Sequence, residues 1–459
     1  MLRFTMNALL SVSAMMYTAL SLYACQPMPQ VSVAAPVLHV PLESETAIVN
    51  ILQSRPAASQ PLQQAIDLYT AANPDAHVNV QTVAGDADYR VALRIRLLSG
   101  ERCDIFQVFS GQEARELKPH LADLSALNWI KTAAAQSAEP LIFDSGVYGV
   151  PYSLEYQGLL LNRDIFEAAE ISIPTINSFE ALEASMKLLS EKTAEKATVT
   201  DSFPMLRNIT DFPIQDKGYL AKIVTEIILS GEFEDIRSVI SGGELKLPQG
   251  EACEDFFRLM MRYSPRGDWN ERDGLSYAYQ LEAFANQEIA LLLCDAAGAD
   301  KILELNPALV GRISLLPVML PGEGADKIHV APPMWWAIGA HSSPPVQESA
   351  KRFLTWLYRS ESGSVVTAAR LGLAAPWPDT AKESGNPLHS QMLALIDKNR
   401  FVPQIWSECP NGWGADILVP AFRSYFAGER EWEDMLAHVR EEWALAAYSN
   451  ADGIYSRTS

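Results

Sequence analysis

From Thr46 onward, short apolar runs alternate with longer stretches whose apolar residues recur every three or four positions. That is the pattern of strands separated by amphipathic helices. Thr46 to Leu52 reads as a first strand, and Pro61 to Ala72, with Leu62, Ala65, Ile66 and Tyr69 at helical spacing, as the helix after it. Asn73-Pro74-Asp75 stops that helix. Val78 to Val83 alternates with the two-residue period of a strand, Tyr89 to Leu98 is helical and ends at Ser99-Gly100, and Asp104 to Phe109 is a third strand. The order β-α-β-α-β predicts α/β architecture.

Further on, Gly146 to Asn162 carries three glycines, a proline and the tyrosines Tyr148, Tyr152 and Tyr156 ahead of an apolar β run, and reads as a crossover between lobes. Helices are predicted at Ser178–Leu189, Lys217–Ser230, Glu251–Tyr263, Tyr277–Asn286 and Val346–Arg359. Gly311 to Pro317 reads as a second crossing, and the Pro- and Trp-rich stretch from Leu373 to Pro378 interrupts the pattern before the C-terminal helices.

The first residues do not fit this scheme. A single basic residue, Arg3, precedes a mainly apolar run from Ala8 to Leu22, which ends at Leu22-Tyr23-Ala24-Cys25. That is the order of an export signal cut after a small residue. With cysteine directly after the cut, it resembles a bacterial lipobox, which implies a signal peptide over 1–24 and lipidation of Cys25. The alternatives are a plain secretory signal and a retained anchor helix. Residues 25–41, with Pro27, Pro29, Pro36 and Pro41, read as an extended tether. The expected location is therefore the cell membrane, lipid-anchored, on the extracytoplasmic face.

The remaining cysteines, Cys103, Cys253, Cys294 and Cys409, lie far apart. They are expected to be buried thiols, with a disulfide as the alternative. Thirty-six Lys and Arg stand against 56 Asp and Glu, a formal net charge of −20. No basic cluster suits phosphate backbones, so nucleic acid is excluded as a partner.

Several segments are informative as an ordered set: Ala72-Asn73-Pro74 before the strand at Val78, Leu98-Ser99-Gly100-Glu101-Arg102-Cys103-Asp104-Ile105, and Leu121-Ala122-Asp123-Leu124-Ser125. The set continues through Tyr148-Gly149-Val150-Pro151-Tyr152, Leu161-Asn162-Arg163-Asp164-Ile165-Phe166, Ala283-Phe284-Ala285-Asn286-Gln287-Glu288-Ile289-Ala290 and the segment Pro344 to Leu357. In these segments and their order the chain resembles the extracellular solute-binding proteins of bacterial ABC importers, in the family that serves carbohydrate uptake. Two places depart from its pattern: Ala331-Pro332-Pro333-Met334-Trp335-Trp336 replaces a Gly-Gly pair, and Cys294-Asp295-Ala296-Ala297 stands where many members place tryptophan.

The resemblance implies a two-lobed periplasmic-binding-protein-like fold with crossover hinges and an interlobe ligand cleft. Lobe one would comprise 42–151 plus 317–365, and lobe two 152–316 plus 366–459. It further implies a monomer with no cofactor, a carbohydrate ligand and ABC permease subunits as partners.

A sugar receptor needs flat aromatics for ring faces and polar side chains for hydroxyls. Tyr152, Glu155 and Tyr156 fall in the first crossover, and Trp335 with Trp336 falls where the family approaches ligand; on a strand these two rings point to opposite faces. Trp377, Trp406 and Trp413 lie in Pro- and Gly-rich sequence that does not read as core. Asp86, Ser110, Gln112 and Asp295 follow strand ends, the usual ligand position in open α/β sheets.

The chain has no Gly-x-Ser-x-Gly, no phosphate loop and no His-Glu-x-x-His, and its seven histidines are scattered, so neither an enzyme nor a metal site is expected. Two alternatives to import remain. One is a secreted glycan hydrolase, with Glu155 and Asp295 as the carboxylates to test. The other is a surface glycan-binding lipoprotein that does not serve transport.

Overall fold

The computed structural model describes residues 47–451 except 195–198, 213–215, 234, 242, 266–275, 323–326, 381–384 and 411. The signal, the tether and Cys25 lie outside the described residues. The first sheet is built from β1 (Ile48–Gln53), β2 (His77–Thr82), β3 (Ile105–Val108), β4 (Val150–Pro151) and a returning strand, Trp335–Ile338. Helices α1 (Pro56–Ala72), α2 (Asp86–Ser99) and the short α3 (Gly111–Glu116) follow the first three strands. The helix α1 starts five residues earlier than the hydrophobic spacing indicated. Pro56 with its fixed φ suits the first turn, and Pro61 is carried inside the helix. The end of α2 is set by Gly100, whose φ of 74° closes the helix in the left-handed region.

The second sheet is centred on β5 (Glu155–Asn162). The helix α4 (Lys217–Ile228) packs on it, and β6 (Leu291–Asp295), β7 (Ile313–Leu316) and β8 (Ile328–Ala331) pair with it. Gln157 pairs with Asp295 of β6 on one edge and with His329 of β8 on the other, and β7 continues along the β8 edge from Leu159 to Asn162. The returning strand of the first sheet is β9 (Trp335–Ile338), followed by α5 (Pro344–Arg359); β10 (Phe401–Pro403) completes the second sheet beside β8. In sheet order the first reads β2-β1-β3-β9-β4 and the second β10-β8-β5-β6.

The chain thus crosses from the first sheet to the second between β4 and β5, and back between β8 and β9. Alternation along β5 explains its unbroken apolar run: Leu159 and Leu161 enter one core, while Tyr156 and Leu160 enter another on the opposite face. Both faces of that sheet are covered, so Leu159–Leu161 is apolar on both sides, and the polar Gln157 and Asn162 of the same strand are buried as well.

The sequence-drawn lobe limits require two changes. β8 was assigned to lobe one, but its hydrogen bonds place it in the second sheet. Val366 and Trp377 were assigned to lobe two, but they pack in the core of the first sheet, together with the half-buried Leu371 and Leu373. The four cysteines beyond the tether are buried thiols. Among the described residues no helix is long and apolar enough to cross a membrane.

Candidate functional site

A cavity of about 620 Å³ opens where the strand ends of the two sheets face each other. One wall comes from the first sheet: Arg55 after β1, Asp86 and Arg90 on α2, and Phe109, Ser110 and Gln112 at the β3–α3 junction. Facing them are Glu155 at the start of β5, Lys222 on α4 and Asp295 at the end of β6, with Gln404, Trp406 and Gly414 from the C-terminal segment. Loops at strand ends are free to carry polar side chains because the strands behind them are already paired.

Local hydrogen bonding fixes several of these residues. Ser110 is the N-cap of α3: its Oγ accepts from the Glu113 N–H at 3.0 Å, and Glu113 Oε2 accepts from the Phe109 N–H at 2.8 Å, one residue further back than in a capping box. Asp295 caps the helix Ala296–Leu305 by accepting from the Gly298 N–H at 2.9 Å. Its Oδ1 also accepts from the Tyr277 hydroxyl at 3.1 Å, and Oδ2 takes the Lys222 ammonium at 3.0 Å. Burial pushes the Asp295 carboxyl up, but the Lys222 charge and these bonds win and hold it below the usual range. On the other partner, burial works against the charge of Lys222, and the Asp295 and Glu155 carboxylates raise it despite that.

The cations of the described cavity lining are each paired with a carboxylate. Arg55 meets Glu155 at 3.3 Å, a link from the first sheet to the second; Arg90 meets Glu113 at 3.3 Å and Arg94 meets Glu116 at 3.0 Å. With Lys222 on Asp295, each cation of the lining has a carboxylate beside it. The Arg55 guanidinium also lies 5.7 Å from the centroid of the Tyr152 ring, so one face of that buried ring is covered by charge.

Of the residues predicted from sequence, Asp86, Ser110, Gln112, Glu155, Asp295 and Trp406 come together in this lining. The other aromatics do not, and the reason is packing in each case. Trp335 is 1% exposed and donates its Nε1–H to the Ser137 carbonyl at 2.7 Å; Trp336, on the opposite face of β9, donates to the Tyr358 hydroxyl at 3.1 Å. Trp377 is edge-on to Trp129 and bonds its carbonyl. Trp413 meets Trp443 edge-on and donates to the Val439 carbonyl.

Tyr156 is fully buried in the second sheet, and Tyr152 lies beneath Arg55 rather than in the opening, its hydroxyl pushed up to about 12 by burial. Trp406 alone among the predicted tryptophans is open, at 37% exposure. The reading from sequence missed Lys222 and Gln404. Arg55 follows the end of β1 and satisfied the same rule that picked Ser110, whereas Lys222 sits inside a helix and gave no comparable signal.

Comparison with known proteins agrees with this architecture. Residues 54–219 match the family model of the bacterial extracellular solute-binding proteins. No curated protein sequence matches the chain. Among solved structures, the sugar-binding protein MalE of Xanthomonas citri superposes with a TM-score of 0.67 at 13% identity, covering 90% of this chain and 100% of its own. The binding protein MsmE of Bacillus subtilis, in an open conformation, gives 0.66 at 16% identity over 89% and 100%. RafE in complex with raffinose gives 0.61 at 16% identity over 87% and 99%. The fold is that of the two-lobed periplasmic binding proteins.

Proposed function

We propose that this chain is the capture component of a bacterial ABC importer. In this reading it takes a neutral mono- or oligosaccharide into the cavity between its sheets and hands it to permease subunits, while held to the membrane by lipid on Cys25. Binding rather than catalysis is the activity of the matched family. The observation that carries the reading is the combination of cations already paired with carboxylates and one open ring. An anionic solute would have to break an existing ion pair to find a cation, whereas a neutral polyol exchanges water for hydroxyls at side chains that keep their partners. The exposed Trp406 ring offers the flat apolar face that a pyranose presents in return. RafE, with the same fold, binds raffinose.

Calorimetry of the mature protein against maltose, raffinose, chitin oligosaccharides and their phosphorylated counterparts tests this. The expected result is a neutral sugar bound with a dissociation constant on the order of micromolar, about −8 kcal/mol. Binding of a phosphorylated solute or a peptide, with every neutral sugar silent, refutes it. Spin labels on the two sheets should report a shorter distance when the sugar saturates, since a ligand that bridges both walls favours closure by its differential affinity. Release of a Cys25→Ala variant from membranes tests the anchor separately.

A further inference from the structure

Trp406 begins a three-residue turn, Trp406–Glu408, whose own hydrogen bonds are few. Its position comes from a neighbour on α4. Glu226 is 2% exposed, and a single oxygen of its carboxylate accepts from two consecutive backbone N–H groups, those of Ile405 and Trp406, at 2.8 Å each. A second constraint meets the ring from the other side. A Cβ at Gly414 would stand 2.9 Å from Thr225 Oγ1, too close without a shift, and at the ordinary contact distance of 3.7 Å from Trp406 Cζ3. The indole edge therefore faces Gly414, which places no side chain against it, while its main chain is held from α4.

Glu226 is one helical turn from Lys222, which already pairs with Asp295, so α4 supplies both a wall of the cavity and the support of its aromatic ring. An amide could accept the same two N–H groups without the cost of a buried charge. What a carboxylate adds is the strength of charge-assisted bonds.

We infer that Glu226 is a positioning residue for the ligand site: its ionised carboxylate sets the Trp406 ring at the height where a sugar stacks, and protonation loosens it. This rests on the reading of Trp406 as a ligand-facing ring. Burial raises Glu226 to about 7 against the pull of its two backbone bonds and of Lys222, so the loosening falls near neutral pH. The other charged or titratable groups around it are Lys222 on its own helix, with Asp295 and Glu155 behind, and Cys409 and Glu408 on the turn. Lys222 is raised and stays cationic, Asp295 is lowered and stays anionic, and the Cys409 thiol is pushed well up by burial. Glu408 is raised as well, by its burial, and its substitution is the control for a response that does not come from Glu226.

The test uses the mature protein labelled with 5-fluorotryptophan, the Trp406 signal being identified by its loss in Trp406→Phe. Between pH 5.5 and 8.5 that signal should shift with a midpoint near 7 in the wild type, stay flat in Glu226→Gln, and keep its midpoint in Glu408→Gln. In parallel, affinity for whichever sugar of the calorimetric panel binds should fall about fivefold from pH 8 to pH 5.5 in the wild type and vary less than twofold in Glu226→Gln, which keeps the acceptor and the shape. A wild-type pH response in Glu226→Gln, or one abolished only by Glu408→Gln, overturns the inference. Should no sugar bind, the proposed function fails, and the fluorine signal still decides whether Glu226 sets the ring.

Discussion

Truncating Trp406 and truncating Trp335 should have opposite consequences. Trp406 is 37% exposed in the cavity lining, so on a side chain of roughly 220 Å² a stacked sugar would cover about 80 Å². At about 25 cal/mol per Å² that area is worth about 2 kcal/mol, or roughly thirtyfold in dissociation constant. Removing a ring that is already partly open leaves little new cavity, so melting should move by only a few degrees.

Trp335 is 1% exposed, and its indole N–H satisfies the Ser137 carbonyl. Trp335→Ala should cost about 3–5 kcal/mol of stability, more if that carbonyl finds no water, while the folded fraction binds sugar normally. Thermal denaturation and calorimetry on both variants separate the two effects. If Trp406→Ala lost as much stability as Trp335→Ala and bound sugar with wild-type affinity, the ring would be a packing residue and the cavity would not be an aromatic sugar site.

The buried carboxylate of Glu226 should make stability depend on pH in a defined direction. The unfolded chain releases this proton near 4.5 and the folded one only near 7, so the stabilisation is full below pH 4.5 and is lost as pH rises to about 7. Glu226→Gln, which never ionises, should gain on the wild type by about 3 kcal/mol between pH 4.5 and pH 8 in chemical denaturation; a constant difference across that range would contradict the assignment. With Cys103, Cys253, Cys294 and Cys409 buried as thiols, the folded protein should react with a thiol reagent only slowly at these positions, and dithiothreitol should leave its melting temperature unchanged. A large drop on reduction would reveal a disulfide instead.

The strands and helices were legible because local patterns determine them: period-two alternation at Val78–Val83, helical spacing from Leu62 to Tyr69, and a glycine at the end of α2. The aromatic part of the site was not, because burial is decided by residues far away in sequence. Trp377 sits among prolines and reads as loop, yet it is enclosed by Trp129 and Tyr358; Trp413 follows a glycine and is enclosed by Trp443. Strand-end polar residues fared better, since the end of a strand is a local property and sheet topology alone brings such ends together. Lys222 and Glu226 show the limit of that rule. Their spacing of four residues on α4 reads as a surface ion pair, and only the packing of α4 reveals that one faces the cavity and the other the Trp406 turn.

The polar groups of the cavity also constrain how a ligand can be recognised. Asp295 already serves a helix N–H, a tyrosine hydroxyl and the Lys222 ammonium, and Ser110 and Glu113 cap α3 between them. Groups so occupied are held in place before ligand arrives, which lowers the entropy lost on binding. They have correspondingly little left to gain from one more hydroxyl, since a bond to an already satisfied carboxylate mainly replaces a bond to water. Discrimination between sugars then falls on what is not pre-satisfied: the face of Trp406, the reach of Gln112 and Asp86 from the first sheet, and the fit when the walls approach. By this argument, substitutions at Asp295 should damage folding of the cavity for every sugar alike. Substitutions at Gln112 or Asp86 should change the ranking of sugars while leaving melting nearly unmoved.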